Sequence, residues 1–202
     1  MRRGPDGRVA DLTPPPFNAR SRVQEYGGGS YLVFEGGAVF TNFADQRLYR
    51  QERGQAPSPI TPEPQIPAGL RYADGRVTPD GRTIISIRER HHEQGEPSNE
   101  IVAFPADGST EPRVIIEGAD FYAAPRISPD GKRLAWLSWN HPDMPWDATE
   151  LWVADLDPLG NAVGPRRVAG GHRESIVEPK WSPGGVLDRK STRLNSSHVA
   201  LS

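Results

Sequence analysis

The sequence contains no cysteine, so disulfides and thiolate chemistry are excluded, which fits a reducing compartment. It has no run near the ~18 apolar residues that a membrane-spanning helix requires. It also lacks a charge excess: 24 basic residues stand against 26 acidic ones, for a net charge of −2. That balance gives no electrostatic footprint for nucleic acid or an anionic membrane. The opening "MRRGPDGRVADL" has two arginines with no apolar stretch behind them, so it does not read as a signal peptide. The expected location is the cytoplasm. Helical periodicity is scarce as well, because prolines recur every few residues and the windows between them alternate.

Turns are plentiful. The 202 residues include 21 glycines and 21 prolines without low-complexity tracts, which points to many tight turns more than to disorder. Between them lie short segments rich in Val, Ile, Leu and aromatics, each bounded by Gly, Pro, Asp or Asn. They include "SYLVF" (30–34), "AVFTNF" (38–43), "TIISIRE" (83–89), "EIVAFP" (100–105), "RLAWLSW" (133–139) and "ELWVADL" (150–156). These read as strands of an all-β protein.

One hairpin is written repeatedly. "VTPDGRTIISI" (77–87) returns as "ISPDGKRLAWL" (127–137) and begins again as "WSPGGVL" (181–187). In each full copy a proline (Pro79, Pro129) presets the first turn position and an aspartate (Asp80, Asp130) takes the second. A glycine (Gly81, Gly131) then adopts the left-handed conformation. A type I turn with a glycine bulge closes such a hairpin over three residues. The third copy has Gly184 where the aspartate stood. Four strands per repeat of about fifty residues is the pattern of a β-propeller. The expected blades are 26–62, 70–118 and 121–171, with a further one starting at 176–187. The expectation is therefore an all-β, partial β-propeller of about three four-stranded blades plus flanking strands, spanning residues 1–187.

Several stretches carry a resemblance. "RSRVQEYGGGSYLV", "FTNFADQRLYRQ", "GADFYAAPRISPDGKRLAWLSWNHPDMPWDATELWVADL" and "SIVEPKWSPGGVL" resemble the N-terminal propeller of bacterial prolyl oligopeptidase-family serine peptidases. The likeness is to the dipeptidyl aminopeptidase and acylaminoacyl peptidase branch and covers about Arg8 to Leu187. It implies a propeller of seven or eight blades over a C-terminal α/β-hydrolase domain. That propeller restricts access, so that short peptides reach a Ser-Asp-His triad. Against that pattern both ends of this chain look truncated and the hydrolase domain is the missing partner. The final "DRKSTRLNSSHVALS" (188–202) is polar and unpatterned. It resembles a translated sequencing-library adapter, and its expected state is a disordered tail outside the fold.

Catalytic chemistry is not expected here. No serine has glycine at both −2 and +2, as a G-x-S-x-G nucleophile elbow demands. The "YGGGS" stretch is read as a close backbone approach between strands, since no helix follows it as a phosphate cradle would need. His91 and His92 are adjacent on a strand and point to opposite faces, so a shared metal ion is not expected. No cofactor is implied. Two long loops, 88–99 and 140–149, fall on the same side of successive blades. The candidate contact loop for substrate or hydrolase domain is the second, through His141, Asp143, Met144, Trp146 and Asp147. Trp146 is either an apolar contact for a partner or packed locally on its own blade, and Trp136, Trp139, Trp152 and Trp181 are expected between blades. The expected function is a substrate-gating and docking segment of a serine peptidase acting on short peptides. The alternative is a stand-alone TolB-like propeller serving as a protein-binding module.

Overall fold

The computed structural model describes residues 2–3 and 7–192. All of its regular structure there is β, in antiparallel meanders whose neighbours in sequence are neighbours in the sheet. A short pair, β1 (Arg2–Arg3) and β2 (Val9–Ala10), precedes the first blade. That blade holds β3 (Tyr31–Phe34), β4 (Gly37–Thr41), β5 (Leu48–Glu52) and β6 (Ser58–Pro59). The second holds β7 (Leu70–Val77), β8 (Thr83–Arg90), β9 (Ser98–Pro105) and β10 (Arg113–Ile116). The third holds β11 (Phe121–Ile127), β12 (Arg133–Trp139), β13 (Glu150–Leu156) and β14 (Ala162–Gly170). A hairpin of β15 (Ile176–Trp181) and β16 (Leu187–Ser191) begins the next. The all-β partial propeller expected from the repeat is the observed fold.

Alternation along the middle strands explains the stacking. In β8, Ile84 joins Tyr72, Val102 and Phe104 against Val39 and Leu48 of the first blade. Its neighbours Ile85 and Ile87 turn the other way, onto Tyr122, Leu134 and Trp136 of the third blade. β12 repeats the scheme: Ala135 and Leu137 face Ile176, Trp181 and Leu187. A strand buried on both faces needs apolar residues at nearly every position, and the burial of Ile84, Ile85 and Ile87 reflects that. Trp136, Trp152 and Trp181 fit this scheme, packing in the seams, whereas Trp139 is buried against Phe121 of its own blade.

The turns form as the sequence implies, with one difference. Gly81 (φ 74°) and Gly131 (φ 73°) are left-handed, and each donates its N–H to the carbonyl of Thr78 or Ser128. Asp130 Oδ1 accepts from the Ser128 hydroxyl (2.5 Å) and the Lys132 N–H (3.1 Å), and Asp80 does the same with Thr78 and Arg82. Both full copies close over four residues, since Ser128 pairs with Arg133 and Thr78 with Thr83. The third closes over three, Ser182 pairing with Val186. Gly184 offers no carboxylate to hold the wider loop, so the tighter one forms there.

The first strand of each repeat is bent at one place. The ladder slips between Ala73 and Arg76, between Ala123 and Arg126, and between Val177 and Lys180. The bulged residues Asp74, Ala124 and Glu178 all have φ between 52° and 55°. Left-handed non-glycine residues cost about 1 kcal/mol or more each, so the blade geometry imposes this bend against local preference. "YGGGS" meets it directly: a Cβ on Gly29 would lie 2.7 Å from Asp74 Oδ1, and the two residues exchange backbone-side bonds of 2.8 Å. The close approach expected there is present.

One boundary needs correction. The fold was expected to stop at Leu187, yet β16 continues through Ser191, with Lys180 opposite Asp188 and Ile176 opposite Ser191. Backbone pairing along β15, with Leu187 buried beneath it, holds a strand whose remaining side chains are three charged groups and a serine. Residues 193–202, the rest of the expected tail, lie outside the described residues.

Candidate functional site

Strand direction sorts the connections onto two faces. Phe121 at the start of β11 pairs with Trp139 at the end of β12, and Leu70 pairs with Arg90 in the blade before. The connections 42–47, 91–97, 140–149 and 171–175 therefore share one face, and the three proline-glycine turns share the other.

The 140–149 loop is pinned at its base and open at its tip. Thr149 is buried and its hydroxyl bridges Ile176, accepting from the N–H at 2.6 Å and donating to the carbonyl at 2.8 Å. Ser175 donates its hydroxyl to the Pro145 carbonyl at 2.6 Å. His141 is held by Asp120, which accepts its backbone N–H at 2.9 Å and lies 3.1 Å from Nδ1, and the ring stands edge-on to Phe121. Asp143 caps a turn back to the Asn140 carbonyl. Asp147 closes a local turn with Met144, through reciprocal bonds of 2.8 and 3.3 Å. Between them Trp146 is 64% exposed, unlike the buried Trp136 and Trp181 of the seams.

On the same face, at the start of β7 and the end of β8, lies an ionic cluster that the sequence pattern does not announce. Arg71 is ion-paired with Glu89 at 3.2 Å and with Glu25 at 2.5 Å, while Glu89 also meets His91 at 2.6 Å. The Arg71 side chain holds the Glu25 carboxyl below its usual range. Gln24 and Glu25 are consecutive left-handed residues, φ 53° and 60°, and the next residue, Tyr26, is 89% exposed. The segment is fixed by Val23, which is buried, and by the Ser21 hydroxyl, which donates to the Tyr72 carbonyl. His92 bonds elsewhere, to the Ser98 hydroxyl at 3.0 Å, so the adjacent histidines do not converge. Among the described residues no group of three or more His, Asp or Glu could hold a metal ion.

The face is thus an ordered platform of loops with two aromatic side chains exposed on it, Tyr26 and Trp146. Solved structures of peptidases are similar to the chain. A Mycobacterium tuberculosis puromycin-hydrolyzing peptidase is 40% identical, with a TM-score of 0.85 over 96% of this chain and 33% of its own. A puromycin hydrolase is 32% identical, with a TM-score of 0.86 over 97% and 34% of the two chains. A putative TolB from Agrobacterium tumefaciens, at 20% identity and a TM-score of 0.51, shares the fold alone. No protein-family model and no curated protein sequence matches the chain. The fold and these relatives define the class as an arc of a peptidase β-propeller. The chain belongs to the prolyl oligopeptidase family of peptidases and spans about a third of the length of the solved peptidases it matches.

Proposed function

We propose that this arc is part of a gating propeller, one that admits short peptides to a serine hydrolase domain and docks that domain through its loop face. The observation that carries the reading is the 40% identity to a puromycin-hydrolyzing peptidase along 96% of this chain. The loop face supports it physically. Trp146 and Tyr26 expose apolar surface on a base fixed by Thr149, Ser175, Ser21 and Gln24, and rigid aromatic anchors suit a docking surface. Substrate selection by size then falls to the seams and the inner strands, which are too tightly packed to pass a folded protein.

A chimera tests the reading. Residues 8–187 of this chain replace the corresponding third of the puromycin-hydrolyzing peptidase, and cleavage of a dipeptide amide is compared with cleavage of unfolded casein. The expected chimera cleaves the first and spares the second. A second chimera carrying Trp146→Ala should lose activity on the dipeptide through weakened domain docking. Equal cleavage of both substrates by the first chimera would overturn the gating role, and unchanged activity in the second would overturn docking through Trp146.

A further inference from the structure

Three cations occupy one register of successive inner strands: Arg76 on β7, Arg126 on β11 and Lys180 on β15. Each stands two residues beyond the left-handed bulge residue of its strand. Alternation fixes their direction. A Cβ on Gly75 would lie 2.9 Å from Leu32 in the first blade, so Arg76, the next residue, turns toward the third. Ile127 packs into the seam between the second and third blades, so Arg126 turns toward β15. A cleft of about 440 Å³ opens there, lined by Arg126, Pro129, Glu178, Pro179, Lys180 and Trp181, with Ile127 behind.

The two arginines are not directly paired, although Asp74 lies near Arg126 and Asp188 stands opposite Lys180 across the β15–β16 hairpin. Among the described residues neither arginine forms an ion pair, and each guanidinium donates instead to the carbonyl just before it, Gly75 at 2.8 Å and Pro125 at 2.9 Å. Two carboxylates lie close but are engaged. Glu178 is paired with Lys190 at 2.5 Å, and Asp74 accepts from the Gly29 N–H at 2.8 Å. The backbone that carries Arg126 is fixed as well, because the Trp181 indole donates to its carbonyl at 3.0 Å. Burial and then the like charge of Arg76 hold the Arg126 guanidinium below its usual range, with the Asp74 carboxylate opposing them in part. Like charges held together on rigid strands are costly unless an anion completes them, and a planar guanidinium fork matches a carboxylate.

We propose that Arg126, flanked by Arg76 and Lys180, is a carboxylate-binding rung on the inner wall of the propeller. It takes either the C-terminal carboxylate or an acidic side chain of a short peptide, and the peptide assignment rests on the gating reading above. Nuclear magnetic resonance titration of the chain with three acetylated tripeptides tests it. They are triglycine with a free carboxylate, Gly-Glu-Gly amide and Gly-Lys-Gly amide. Binding of the first alone identifies the chain terminus as ligand, and binding of the second identifies the acidic side chain. Arg126→Gln should weaken the bound peptide about tenfold, Lys180→Gln less, and added salt should weaken it further. Arg126→Lys keeps the charge, loses the fork and should fall between, which controls for a folding defect in the glutamine variant. Equal affinity for the lysine peptide, or no change in either Arg126 variant, overturns the rung. If the rung binds carboxylates while the chimera cleaves acidic and basic peptides equally, the gating assignment fails and the anion site stands.

Discussion

Pro79 and Gly131 meet across the boundary between the second and third blades: a Cβ placed on Gly131 would lie 3.3 Å from Pro79 Cδ. The equivalent glycine one blade earlier, Gly81, has open space around it. Both are left-handed, so alanine at either position should cost about 1–2 kcal/mol in backbone strain. Gly131→Ala must also displace Pro79, so its urea midpoint should fall below that of Gly81→Ala. Equal midpoints would show that the two turns do not press on one another.

Glu100 accepts from two arginines, Arg88 at 2.9 Å and Arg90 at 3.0 Å, and both it and Arg88 have side chains only 5–6% exposed. Glu100→Gln leaves the Arg88 charge buried against a neutral amide. The expected loss is about 3 kcal/mol, and Arg88→Met combined with Glu100→Met should regain much of it. Denaturant unfolding of the single and double variants measures the difference.

The turn aspartates set part of the acid sensitivity. The hydroxyls of Thr78 and Ser128, then the backbone N–H groups of Arg82 and Lys132, hold Asp80 and Asp130 below the ordinary 3.8. A carboxyl depressed by folding stabilises the protein above its unfolded value, and that stability is lost as pH falls through the lower folded value. The double variant Asp80→Asn, Asp130→Asn should therefore lose less stability than the parent when pH drops below about 4. Parallel acid limbs in the two proteins would contradict this.

Tyr31 and Val33 are 65% and 67% exposed on the face of the first blade turned away from the second. Adjacent apolar side chains on an open sheet face favour association. Sedimentation should show the chain self-associating, and Tyr31→Ser with Val33→Thr should reduce it. A monodisperse chain at high concentration would mean that this face is already satisfied.

The turns were legible because their chemistry is local: a proline, an aspartate and a glycine in succession define the geometry whatever surrounds them. The seams were legible through alternation, as with Ile84 against Ile85 and Ile87. Asp188–Ser191 misled for a related reason. A strand at the edge of a hairpin needs only backbone pairing and one anchor, here Leu187, so its composition resembles a loop. The Arg71 cluster was legible only in part: 71 and 89 face each other across the β7–β8 hairpin with 91 two residues on, but Glu25 joins from the segment that leads into the first blade. The cation row was written in plain view, as a basic residue three positions before each turn proline (76–79, 126–129, 180–183). Single basic residues on alternating strands carry no signal of direction until the bulge at 74, 124 and 178 fixes which way they turn.

Gln24 reaches three blades at once. It leads into the first, its N–H donates to Glu89 of the second at 2.6 Å, and its side-chain amide donates to the Tyr122 carbonyl of the third at 3.0 Å. Apolar seams alone would let blades slide or splay with little directional penalty, because such contacts are not oriented; bonds such as Gly29 to Asp74 and Trp181 to Arg126 each hold one seam. A tether that spans two seams converts that freedom into stiffness. The curvature of the arc is thereby braced by a side chain that spans two of its seams, as a fan is braced by the cord through its ribs.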